Sequence, residues 1–89
     1  MSLNDIPRLD LIPPEALLQI GEVLRKGAIR YGDTANSDKQ NSKEHLNRAL
    51  NHVASYLAGD TSEDHAGHFA CRAMLFLEKL IQEQNNDSH

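Results

Sequence analysis

The sequence predicts an all-α protein: a small antiparallel bundle of three helices, preceded by an extended N-terminal arm and completed by oligomerisation. Leu and Ala supply 21 of the 89 residues, whereas Val, Ile and Thr together supply nine, a balance that favours helix over strand. Apolar residues recur at three- and four-residue spacing in three separate blocks. Proline and glycine fall between those blocks, where helices begin and end.

Residues 1–12 contain Pro7 and no sustained period, so they read as the arm, with Ile6, Leu9, Leu11 and Ile12 lying over other elements. Residues 13–84 form the helical domain. Pro13 and Pro14 suit a first helical turn, whose amides have no intrahelical partner, and the first helix runs from about Pro14 to Tyr31. Leu17, Ile20, Leu24 and Ala28 form its apolar stripe, and Gly32 stops it. Gly21 and Gly27 each cost that helix about 1 kcal/mol relative to Ala, which close packing or an approaching ligand would offset. Asp33 to Asn41 is a polar loop, long enough to serve as a lid. Ser42 reads as the N-cap of a second helix with Leu46, Ala49, Leu50, Val53 and Leu57 on its apolar face and Gly59 at its end. The turn after it is short, so the third helix returns antiparallel, with Thr61 and Asp64 spaced as a capping box. Ala66, Phe69, Ala70, Ala73, Leu77 and Leu80 give this helix its stripe, and residues 85–89 read as a frayed tail. Leu18, Met74, Leu75 and Phe76 lie off the main stripes and form a second apolar face suited to self-association.

A chain of this length is one domain, and it buries only about 60–65% of its unfolded surface alone. The single Cys71 excludes an internal disulfide, and the absence of a signal-like N-terminus or a long apolar run leads to an expectation of a cytoplasmic protein that meets no membrane. A net charge of −4 and only two Tyr and two Phe argue against a nucleic-acid surface. Charge is nevertheless uneven. Arg25, Lys26 and Arg30 occupy a stretch with no acid, at the C-terminal end of the first helix, beside Tyr31. Cations there complement the helix dipole, and guanidinium groups also suit phosphate, with Gly27 and Gly32 permitting close approach. Glu22 and Lys26 have the spacing of an i,i+4 pair.

The densest polar segment is Asp60 to His68, at the corner between the second and third helices. His65 and His68 lie three apart on one helical face, with Asp60, Glu63 and Asp64 a turn earlier. Carboxylates suit magnesium or manganese and imidazole suits manganese or zinc, so Asp60, Glu63, Asp64, His65 and His68 are candidate metal ligands. Acids at a helix start also simply complement its dipole. His45 and His52 are seven apart, two turns along one face of the second helix, and read as partly exposed. Across an antiparallel pair, His52 can also meet His65 or His68. Cys71, in an Ala-rich stretch, reads as a packing residue.

Taken in order, R-L-D-L-I-P-P-E-A-L (Arg8 to Leu17), G-A-I-R-Y-G (Gly27 to Gly32), S-K-E-H-L-N-R-A-L-N-H (Ser42 to His52), A-G-D (Ala58 to Asp60) and H-A-G-H-F-A (His65 to Ala70) resemble the short phage and bacterial proteins named for the N-terminal domain of dATP/dGTP diphosphohydrolase. The resemblance covers about residues 8 to 80. It implies an all-α, nucleotide-handling protein related to pyrophosphohydrolases that use magnesium or manganese. It also implies that Arg8, Asp10, Lys26, Tyr31, His52, Asp60, His65 and His68 contact the ligand, to which the reading of the residues adds Arg25 and Arg30. The pyrophosphohydrolase signature, a Glu-x-x-Glu on one helix and a Glu-x-x-Asp on another, is absent from this chain. On sequence alone, the favoured function is therefore capture of a nucleotide or nucleotide-derived signal by a phage-type homo-oligomer, an anti-defence sponge needing no cofactor. The alternative is a magnesium- or manganese-dependent dNTP diphosphohydrolase. A plain assembly module is the third reading.

Overall fold

A computed structural model describes residues 2–33 and 39–87. Three helices make the fold: α1 (Pro14–Tyr31), α2 (Ser42–Leu57) and α3 (His65–Asp87). There is no strand among the described residues. α3 is the spine: α2 packs along it and α1 packs against it, while α1 and α2 do not pack on each other. The α2–α3 pair is antiparallel, since Ser42 at the start of α2 meets Glu83 near the end of α3 and His52 meets His65 at its start.

Local chemistry sets most boundaries. Pro14 opens α1, and Gly32, at φ 94°, closes it while its N–H bonds the Ala28 carbonyl. α2 ends in a Schellman arrangement, with Gly59 (φ 87°) donating to the Tyr56 carbonyl and Asp60 to that of Ser55. Two caps differ from expectation. Asn41, one residue before Ser42, caps α2 by accepting from the Glu44 N–H at 2.9 Å. Ser42 is drawn away because its hydroxyl and its N–H both bond the Glu83 carboxylate. At α3, Asp64 by itself accepts the Gly67 N–H at 3.0 Å, in place of a box with Thr61. A Cβ at Gly67 would meet the Asp64 carboxylate, so a larger residue there would displace this cap. α3 is continuous through Asp87, so residues 85–87 are helical. Residues 34–38, within the segment expected to act as a lid, and residues 88–89 of the expected tail lie outside the described residues.

The arm is not extended. It forms two 3₁₀ turns, Leu3–Asp5 and Leu9–Leu11, and its apolar side chains stand exposed instead of lying over the helices. The interior is small and unusually polar: Ala49, Cys71, His45 and His65 are its buried side chains among the described residues. α1 has no buried residue, and its expected stripe is only partly covered, with Leu17 half exposed. The chain exposes 6985 Å², against roughly 5200 Å² expected of a compact monomer of this mass.

Candidate functional site

A cavity of about 640 Å³ opens between the C-terminal half of α1 and the first half of α3, with one contribution from α2. α1 supplies Lys26, Arg30 and Tyr31 to its wall, and the opposite side carries His52, Glu63, Asp64, His68 and Arg72. The basic end of α1 and the His68 imidazole of α3, with His52 of α2, thus face one space, although Lys26 and His68 are some forty residues apart in sequence; His65 is not in the lining.

The α1 wall is sorted by pairing. Glu22 takes Arg25, at i+3, in a two-pronged ion pair instead of Lys26 at i+4. The Arg25 guanidinium holds the Glu22 carboxyl below the usual carboxylate range. Arg25 therefore lies outside the cavity lining, while Lys26 and Arg30 remain within it. Arg30 also lies over the Tyr31 ring, 5.3 Å from its centroid, in cation–π contact. Gln19 donates to Asp64 at 2.7 Å, tying the first half of α1 to the start of α3. That bond and the Gly67 N–H keep the Asp64 carboxyl ionised to lower pH than usual, with the Gly67 N–H the larger cause. Arg8 and Asp10 are not brought to the cavity. They grip each other on the arm through two contacts of 2.9 Å, and Arg8 also donates to Asn4.

The opposite wall is an imidazole cluster. His52 stacks on His68 with ring centroids 5.0 Å apart and tilts against His65 at 5.2 Å. His65 is buried and lies behind His52, its Nε2 2.5 Å from Asp60 Oδ2 and its Nδ1 3.0 Å from His52 Nδ1. A carboxylate only accepts, so His65 Nε2 carries the proton and donates to Asp60. For neutral rings, His65 Nδ1 is then an acceptor, His52 Nδ1 is its donor, and His52 Nε2 is left with a free lone pair. The His65 bond and the Ser62 hydroxyl hold the Asp60 carboxyl below its ordinary range. Burial, reinforced by the neighbouring His68, lowers the pKa of His52 and favours its neutral form.

Donor atoms of His52, Glu63 and His68 all lie within 4.8 Å of one another. Two imidazoles and one carboxylate fit a divalent transition ion, with manganese better matched than magnesium, which prefers oxygen. Of the metal ligands expected from sequence, Glu63 and His68 belong to this cluster. His52 joins them, His65 and Asp60 stand behind, and Asp64 serves as the helix cap and the anchor of Gln19. Arg72 was not anticipated. Its spacing of four from His68 places both on one face of α3, which was the available signal. His45, expected to be partly exposed, is completely buried.

These features define a small all-α protein with a cavity lined by both cations and carboxylates and a His/Glu/His cluster in its wall. The chain belongs to the family described as dATP/dGTP diphosphohydrolase, N-terminal, whose model matches residues 4–89. Neither curated proteins nor solved structures produce a match. No helix among the described residues is long and apolar enough to cross a membrane.

Proposed function

We propose that the protein is a metal-dependent diphosphohydrolase of dATP or dGTP. Water adds at the α-phosphorus, the bond between that phosphorus and the bridging oxygen to the β-phosphate breaks, and a deoxynucleoside monophosphate and pyrophosphate leave. The observation that carries this reading is the sharing of one cavity by the His52–Glu63–His68 donors and the Lys26 and Arg30 cations. Membership of the diphosphohydrolase family supports hydrolysis over simple capture, which reverses the order of preference reached from sequence.

In this reading Lys26 and Arg30 receive the β- and γ-phosphates, and Tyr31 flanks them on the α1 wall. His52, Glu63 and His68 hold manganese or magnesium, and Asp60 and His65 fix the ring and tautomer of His52. A divalent ion so held supplies Lewis-acid polarisation of a phosphoryl oxygen and acidifies water. The cations of α1 orient the phosphate chain and offset the charge that develops on departing pyrophosphate.

One observation favours capture without turnover as a second reading: the cluster has a single carboxylate, where phosphoryl-transfer sites usually gather several. Incubation with dGTP and manganese decides between the two. Catalytic release of pyrophosphate that disappears in His68→Ala supports the hydrolase. Recovery of intact nucleotide from heat-denatured protein supports capture. Failure to handle nucleotide at all defeats both and leaves the assembly module. The reading includes a second copy of the chain as partner, because large apolar side chains such as Leu18, Ile29, Leu57 and Leu77 stand exposed. It places the protein in the cytoplasm, where deoxynucleotides are found.

A further inference from the structure

Arg72 is the only arginine of α3, and it is held in an unusual way. Its side chain is partly buried and lines the cavity. Nη1 donates to Gln40 Oε1 at 2.6 Å and to His45 Nδ1 at 3.1 Å. Both acceptors are uncharged. Among the described residues, no carboxylate lies within ion-pair distance of the guanidinium.

A cation withdrawn from water without a counter-ion is costly, and its charge survives only where something else repays the burial. Acids are close by in the same cavity: Glu22 is engaged by Arg25, Asp64 by Gln19 and the Gly67 N–H, Glu63 lies against His52, and Asp33, also in the lining, forms no ion pair with the guanidinium. His45 bears a further cost. Because its Nδ1 accepts from Arg72, its proton resides on Nε2, which is buried and finds no partner among the described residues. The fold thus accepts an unpaired imidazole N–H while orienting a guanidinium through neutral groups. The edge formed by Nε and Nη2 makes no hydrogen bond to any described group, and that edge is the parallel fork that grips two oxygens of one phosphate.

We propose that Arg72 is the phosphate anchor on the α3 wall of the cavity, receiving one phosphate of a polyphosphate chain whose other charges meet Lys26 and Arg30 across the gap. Gln40 and His45 are its positioning residues. The assignment deepens the nucleotide reading and rests on it for the identity of the guest, but the anchor itself is testable with inorganic tripolyphosphate alone.

Calorimetric titration of the full chain with tripolyphosphate, in the absence of metal, tests it. Wild type binds, Arg72→Gln weakens binding about ten- to hundredfold, and Arg72→Lys, which keeps charge but lacks the fork, falls between them. Lys79→Gln removes the other cation of α3, which does not line this cavity, and leaves affinity within about twofold. Thermal melts show which variants fold. If Arg72→Gln does not fold, the lysine variant carries the test, and wild-type affinity in it overturns the proposal. Equal affinity in Arg72→Gln, or no tripolyphosphate binding by wild type, also overturns it. Arg72-dependent tripolyphosphate binding without turnover of dGTP sinks the hydrolase reading and leaves the anchor standing. Turnover of dGTP with an unchanged KM in Arg72→Gln does the reverse.

Discussion

His45 and His52 stand two turns apart on α2, and each meets α3, yet the two rings do opposite work. His52 is backed by His65 and, through it, by the Asp60 carboxylate, so the hydrogen-bond chain runs from an acid outwards and leaves the final ring with a lone pair to offer. His45 faces the Arg72 guanidinium and is used as an acceptor, so its lone pair is consumed inside the fold. One ring keeps its acceptor, and the other spends it on an arginine. What α3 supplies at each level decides the role, because imidazole has one donor and one acceptor and its neighbour chooses which is spent.

Replacing Asp60 is the sharpest way to break this contrast. Asp60→Ala frees His65 to change tautomer, and manganese affinity at His52 should fall about ten- to a hundredfold, as loss of outer-shell support commonly produces. Tripolyphosphate affinity, which depends on the other histidine's arginine, should barely move. Equal losses for both ligands would show that the two nodes are not separate.

The second prediction concerns acid. Burial, assisted by the charges of Arg72 and Lys79 on α3 and Arg48 on α2, depresses the pKa of His45 against the opposing pull of Glu44. The folded ring is neutral while an unfolded one titrates near 6.5, so the unfolded chain binds more protons below that pH. The contribution is therefore complete above about pH 6.5 and is lost as pH falls towards the depressed folded pKa. Urea unfolding at pH 7.5 and 5.5 should show that loss in wild type and a smaller one in His45→Leu, with His52 accounting for the remainder. At the higher pH the substitution itself should cost about 1–3 kcal/mol by stranding Arg72. Identical pH slopes in the two proteins would remove His45 from the account.

The smallest effect belongs to the corner that carries both walls. Asp64→Ala deletes the α3 cap and the Gln19 bond, and a loss of about 1 kcal/mol in a chemical melt is expected. Asp64→Asn, which still accepts the Gly67 N–H, should recover most of it.

Much of this architecture is legible in residue order, because single residues carry it: Pro14, Gly32 and Gly59 mark helix ends through backbone restrictions that act locally. The sharing of one cavity by Lys26, Arg30 and His68 also follows from sequence, as a basic helix end and a histidine-rich helix start, whereas the burial of His65 behind His52 does not. What local reasoning misses is decided between helices. Asn41 and Ser42 are both good caps, and only the presence of Glu83 across the α2–α3 seam assigns Ser42 elsewhere. Arg72 is not singled out by residue order, because only α1 laid against α3 turns its face of the helix into a cavity wall. The 3₁₀ turns of the arm are held by short-range contacts, Ser2 with Asp5 and Arg8 with Asp10, that an apolar pattern does not reveal.

α1 has no buried residue, and Gln19 is its one side-chain hydrogen-bond link to α3 among the described residues. Beyond half-buried packing on α3 through side chains such as Ile20, Val23 and Ala28, that bond is its polar mooring. On the proposed function, a multiply charged guest reaching from Lys26 to Arg72 would add a second link between α1 and α3.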